Sequence, residues 1–277
     1  MHRNARAEHA RDTLEILGRG SYQTANGQLV SIVDALNRSI AGTKLYTADT
    51  LFSDDGFADG LAGEVLVTRQ TTLAALAQLA AQPGGHLACL NFASAKNPGG
   101  GFLGVAQAQE ESLARSSGLY PCLLKEERGH YAANRAHRSA LYLDLAIHSP
   151  SVPFFRDDAG KLLGAFYTAS VLTCAAPNAG AVAANEPEKV ALVEPTLVRR
   201  AEFVLRVARK ESVRRLVLGA WGCGVFRNDP RMVAAAFARL LGPGGGSHGW
   251  FEQVVFAVYD SSREAETWHA FEAAFGK

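Results

Sequence analysis

The sequence has little of what usually announces a chemistry. Its 277 residues hold four cysteines, Cys89, Cys122, Cys174 and Cys223, with no CxxC pair, so neither a cysteine zinc site nor a disulfide framework is indicated. Three of these thiols fall in apolar runs that read as strands or strand ends, which predicts reduced, packed cysteines. There is no leader pattern and no run of 18 apolar residues, the pattern of a soluble cytoplasmic protein. A formal net charge of +1 exerts no long-range pull on nucleic acid or an acidic membrane, so recognition has to be local. GxxxxGK[ST] and HExxH do not occur, which removes the P-loop enzymes and the zincins. His130, His137 and His148 lack ligand spacing and read as surface or turn histidines, so no metal is expected.

What is present is a regular alternation. With 48% hydrophobic and 20% charged residues, the chain can bury a large core in one compact unit. A helix is expected over 1–19, then a turn at Asn26 and Gly27, an apolar stretch 29–33, a short helix 34–40 and a strand 44–47. Strands follow at 65–68, 87–92, 167–174, 215–218 and 253–259, and helices at 71–81, 188–210, 230–241 and 263–275. Between them, 141–147 is apolar, and Pro150, Pro153 and the 157–160 turn predict a strand, a loop and a hairpin. Continuous apolar strands alternating with helices predict an α/β fold, a mixed sheet covered by helices on both faces. In such sheets ligands bind beyond the carboxyl ends of the strands. Unusual sequences sit at three such ends: 94–101, 175–178 and 219–226. Convergence on one cleft is expected.

The first is the most informative. Residues 91–115 read NFASAKNPGGGFLGVAQAQEESLAR. Gly99, Gly100 and Gly101 tolerate positive φ and let the backbone approach another group closely. After them, good helix formers place Gln109, Glu110 and Glu111 in the first turns of a helix. Successive helical positions point about 100° apart, so the two acids cannot do the same job. Asn97, just before the glycines, is placed for hydroxyl groups, whereas Asn91 is as well suited to an Asx turn. Alone, Glu110 and Glu111 would be two solvated charges complementing a helix dipole.

The stretch 219–230, GAWGCGVFRNDP, joins a strand to a helix. Its small residues expose successive N–H groups that suit a diphosphate. Asp229 and Pro230 equally suit an N-cap and first helical position. Thr71 or Thr72 is an N-cap, and 174–178 (CAAPN) reads as a wall of the same cleft.

Three glycines followed across 102–108 by Gln-Glu-Glu resemble the signature of the poly(ADP-ribose) glycohydrolases, of the compact bacterial type. The 219–230 loop resembles the same family's phosphate-binding loop. The resemblance implies a macrodomain-like catalytic domain over 51–277, with residues 1–50 as an N-terminal helical extension packing on the core. It implies hydrolysis of ribose–ribose O-glycosidic bonds, mainly from the polymer end, releasing ADP-ribose, in reversal of ADP-ribosylation during the DNA damage response. Glu111 would be general acid and base, assisted by Glu110. Asn97, Gly99, Gly100, Gly101, Gln109, Gly222, Cys223, Gly224, Val225 and Phe226 would bind substrate, Phe226 against the distal ribose. A monomer acting on poly(ADP-ribose) and ADP-ribosylated proteins is implied, without a cofactor. The rival expectations are an ADP-ribose-binding macrodomain and a mono-ADP-ribosyl hydrolase.

Overall fold

The computed structural model describes residues 3–48, 63–104 and 106–276; the expected boundary between residues 50 and 51 lies outside them. Helix α1 (Arg3–Arg19) leads into an antiparallel ribbon of β1 (Ser21–Gln23) and β2 (Leu29–Ser31), then α2 (Val33–Gly42) and β3 (Lys44–Thr47). There follow β4 (Glu64–Thr68), α3 (Thr72–Ala80), β5 (Leu87–Phe92), α4 (Gln109–Ser116), α5 (Leu119–Lys125), a π-helical turn (Glu127–Tyr131) and α6 (Ala132–Ala136). A long hairpin comes next, β6 (Leu145–Arg156) and β7 (Leu162–Cys174), followed by α7 (Ala179–Asn185) and a 3-10 turn (Pro187–Leu192). Then come α8 (Val193–Lys210), β8 (Arg215–Leu218), α9 (Pro230–Leu241), β9 (Gln253–Ala257) and α10 (Glu266–Phe275).

The main sheet has seven strands in the order β3-β6-β7-β5-β8-β9-β4. From β7 to β4 every pairing is parallel, and β6 and β3 add antiparallel pairings at the other edge. The mixed sheet expected from the apolar runs is therefore present. The two-residue period of a strand divides each buried run between the faces. Leu90, Leu216, Leu218 and Phe256 join Leu197, Phe203, Phe237 and Phe271 of α8, α9 and α10. Cys89, Val217 and Val255 join Leu76, Leu113 and Leu123 of α3, α4 and α5.

Several expectations need correction. The loop inferred from Pro150 and Pro153 is strand: β6 runs through both, with a register shift between Ser149 and Val152 and Ser151 at φ 48. A bulge accepts the missing N–H that a regular ladder would not. The helix expected over 188–210 begins at Val193, because Pro195 fits only the first turn of an α-helix. His130 and His148 are 0% and 2% exposed, not surface residues. His130 packs on the Tyr131 ring at 4.7 Å, and His148 faces Glu211 at 3.1 Å. Burial pushes both imidazoles down to about 4. Among the described residues no group of three side chains is arranged to hold a metal, and no helix is long and apolar enough to cross a membrane. Cys89, Cys122 and Cys174 are buried and unpaired, as expected, and Cys223 is half-buried.

Helix α1 is fastened where it matters for the site. Ala10 packs with Phe102 and Ala114, and Ile16 with Tyr22, Ile32 and Phe155. The Thr13 hydroxyl donates to the Arg115 carbonyl in the last turn of α4 at 2.6 Å. Thr13→Val removes that donor from a buried carbonyl and should destabilise the fold by about 1–3 kcal/mol, read as a lower urea midpoint with unchanged slope.

Candidate active site

A cleft of about 830 Å³ opens where β5, β7, β8 and β9 end. Asn97, Gly100 and Gly101 line it from the loop after β5, Gln109, Glu110 and Glu111 from α4, and residues 222–226 from the loop after β8. Ala176 lines it from the loop after β7. The two glycine loops thus face one volume, in the size range of pockets that enclose small molecules.

Helix α4 starts at Gln109, and that residue fixes its place. Gln109 Oε1 accepts from Phe92 N–H at 2.9 Å, and Nε2 donates to Leu90 O at 2.7 Å and Thr72 Oγ1 at 3.1 Å. Both amide protons are engaged within the protein, so its amide is a clamp between α4, β5 and α3 rather than the free donor a substrate ligand would need. Glu110 and Glu111 follow, 3% and 8% exposed. Glu110 accepts from Asn91 Nδ2 at 3.2 Å and from Ser94 N–H at 2.6 Å, one donor on each oxygen. Asn91 therefore braces an acid instead of turning its own loop. Glu111 Oε1 accepts from Gly101 N–H at 2.9 Å, while its buried Oε2 has no partner among the described residues.

Gly100, at φ 61, lies against both carboxylates. A Cβ there would come within 2.4 Å of Glu111 Oε1 and 3.0 Å of Glu110 Oε2. Gly99, at φ 70, turns the loop; it does not line the cleft, and its missing Cβ leaves room for the Phe102 ring. Burial raises the Glu110 carboxyl to about 8, and the neighbouring Glu111 charge adds to it against the opposing donors from Ser94 and Asn91.

The second loop is pinned from below. The buried Trp221 donates Nε1–H to Cys174 O at 3.0 Å, and Asn228 Nδ2 donates to Pro177 O at 2.8 Å and Gly222 O at 3.2 Å. Gly222 takes φ 76, and a Cβ would meet Asn228 Nδ2 at 2.3 Å. Cys223 N–H is engaged with Ala220 O at 3.2 Å. The N–H groups of Gly222, Gly224, Val225 and Phe226 donate to no acceptor among the described residues. Unengaged backbone amides in a turn are the kind of group that can accept an anion. Asp229 and Pro230 cap and start α9 as expected.

Sequence reading missed the fourth exit loop, where Tyr259, Asp260, Ser262 and Thr267 line the cleft. Asp260 organises it by accepting from Ser262 N–H and Thr267 N–H at 2.9 and 3.0 Å. Nothing in YDSSREAET departs from an ordinary loop, so only the strand order could have pointed to it. Thr71, the N-cap of α3, lines the cleft and donates its hydroxyl to Asp158 Oδ2 at 2.6 Å.

Two outcomes follow. Gly100→Ala should lower the melting temperature and abolish activity, since a methyl group in a left-handed backbone must displace the carboxylates. Because Glu110 holds its proton more tightly folded than unfolded, its contribution falls as pH rises from about 4.5 to about 8. Glu110→Gln should therefore gain stability relative to the parent across that window, read from urea midpoints at pH 5 and pH 8.5.

A family model described as microbial-type PARG, catalytic domain, matches residues 10–157. The crystal structure of poly(ADP-ribose) glycohydrolase from Thermomonospora curvata is 46% identical, with a TM-score of 0.93 over 99% of this chain and 100% of that one. A structure of that enzyme bound to the inhibitor ADP-HPD matches at 46% identity and TM-score 0.91, covering 98% and 99%. The Deinococcus radiodurans poly(ADP-ribose) glycohydrolase in complex with ADP-ribose is 48% identical, with TM-score 0.82 over 87% and 97%. Among curated proteins none matches. By that family model and those identities, the chain belongs to the microbial-type poly(ADP-ribose) glycohydrolases.

Proposed function

We propose that the cleft hydrolyses the ribose–ribose O-glycosidic bond of poly(ADP-ribose), mainly at the polymer end, with Glu111 as the acid and base. The observation that carries this assignment is the asymmetry of the pair. Both oxygens of Glu110 are held by protein donors, whereas Glu111 is anchored through Oε1 and offers Oε2 unpaired. A buried oxygen without a partner is costly unless a ligand supplies one.

In this reading the terminal diphosphate lies on the free amides of Gly222, Gly224, Val225 and Phe226. Asn97 reaches ribose hydroxyls and Phe226 packs on the distal ribose. Acting as the acid, Glu111 Oε2 delivers a proton to the bridging oxygen as the bond to the anomeric carbon breaks, leaving an oxocarbenium-like centre. The nearby diphosphate stabilises that charge. Water then attacks the anomeric carbon, and Glu111 takes back its proton. Glu110, fixed by Asn91 and Ser94, orients the ribose and holds the loop. Gln109, Gly99 and Gly101 act as positioning residues: a clamp, a turn and an anchor.

A module that only binds ADP-ribose has no use for an unpaired buried carboxylate oxygen, which favours hydrolysis. We take ADP-ribosylated proteins as the source of polymer, and a monomeric cytoplasmic enzyme acting in the DNA damage response as the setting. Residues 1–50 would serve as an extension on a catalytic domain spanning 51–277. Glu111→Gln should lower kcat/KM on purified poly(ADP-ribose) by roughly 10²–10⁴-fold while ADP-ribose affinity by calorimetry stays within about threefold. A near-normal rate in that variant removes Glu111 from the mechanism.

A further inference from the structure

Behind the second loop, one contact is held at a cost that packing alone does not explain. Tyr142 has φ 60, a left-handed backbone in a bulky residue, which persists only where the surroundings over-determine it. Its carbonyl accepts from Arg200 Nη2 at 3.1 Å. Arg200 is fully buried, and two further donors reach Ala175 O at 2.9 Å and Asp144 Oδ1 at 2.8 Å. Asp144 also accepts from Arg199 Nε at 2.7 Å, and Leu143 N–H donates to Asn134 Oδ1 at 3.0 Å. The segment is thereby gripped from α8 and α6.

The grip presents the Tyr142 ring to Phe226, with centroids 5.9 Å apart and planes at 47°. Phe226 lines the cleft, its carbonyl accepts from Gly180 N–H at 3.0 Å, and the next residue, Arg227, is again left-handed at φ 56. Strained backbone thus stands on both sides of a single aromatic contact, at the end of a loop whose Gly224 and Val225 are exposed.

We propose that Tyr142, locked by Arg200, is a positioning residue that holds the Phe226 ring as the wall on which the substrate ribose packs. The inference rests on the sugar-binding reading of the cleft. Tilted aromatic pairs at this separation attract beyond their buried area. Without Tyr142 the Phe226 ring would populate other rotamers, and binding would carry the cost of ordering it.

Tyr142→Gly removes the ring and suits the left-handed backbone, so its melting temperature should equal or exceed that of the parent. Its KM for poly(ADP-ribose) should rise about 3- to 10-fold with kcat within about twofold, a split that a merely structural role would not produce. Tyr142→Phe keeps the ring and should match the parent. In a Phe226→Ala background the Tyr142→Gly effect should vanish. An unchanged KM in folded Tyr142→Gly, or full additivity with Phe226→Ala, overturns the proposal. Should Tyr142→Gly not fold, Tyr142→Leu replaces it in the same double-mutant cycle, where a raised KM supports the proposal and an unchanged one overturns it. Absence of polymer cleavage by the parent would count against the proposed function instead, and ADP-ribose affinities of the same variants would still decide this one.

Discussion

Everything at this site depends on how closely a backbone can approach two carboxylates. Gly100 passes over both acids at a distance where a methyl group would overlap Glu111 Oε1, and this approach brings Gly101 N–H to that oxygen at 2.9 Å. A loop held further off would leave a buried carboxylate with neither oxygen paired, and desolvating such a group costs several kcal/mol. The glycines therefore do more than make a turn. They let α4 begin beside the carboxyl end of the central strand β5 with its acids covered.

The compensation for burying the pair is distributed over three elements. Asn91 on β5 and the Ser94 amide on its exit loop hold Glu110, Gly101 holds Glu111, and Gln109 ties the start of α4 to β5 and α3. One acid is fully partnered and the other only half. Since Glu110 still has its carboxyl raised to about 8, the pair resists carrying two charges near neutral pH. Glu110 thus keeps a proton beside the cleft near neutral pH.

Much of this was legible in the sequence because the signals were local. Continuous apolar runs marked β5 and β8 to the residue, and Asp229 with Pro230 marked the start of α9. The spacing of the glycines and acids placed both beside one cleft. What could not be read depended on partners far along the chain. Pro150 and Pro153 looked like breakers because the bulge that absorbs them is defined only against β7. His130 and His148 gave no periodic cue to burial, since one sits in a π-helical turn and the other answers Glu211 from across the fold. Gln109 carries the same letter whether it binds a ligand or a strand; its three hydrogen bonds decide. Tyr142 sits at the start of an apolar run and shows its strain only in φ.

The strand order explains why distant loops meet. In a parallel sheet all carboxyl ends lie on one side, and β7, β5, β8 and β9 are successive neighbours. Their exit loops must then be adjacent, whatever their separation in sequence. The acid loop follows β5 and the second glycine loop follows β8, on strands paired directly through Leu87–Arg215, Ala88–Leu216 and Cys89–Val217. Rigidity of that pairing, with side chains buried on both faces, fixes the distance between the two loops far better than the loops themselves would. The Trp221 bond to Cys174 O and the Asn228 bond to Pro177 O extend the same fixation one strand further, to the exit of β7. A reacting bond must be held within fractions of an ångström of its catalytic groups. A glycine-rich site meets that demand only because each flexible stretch is anchored within a few residues of a buried strand.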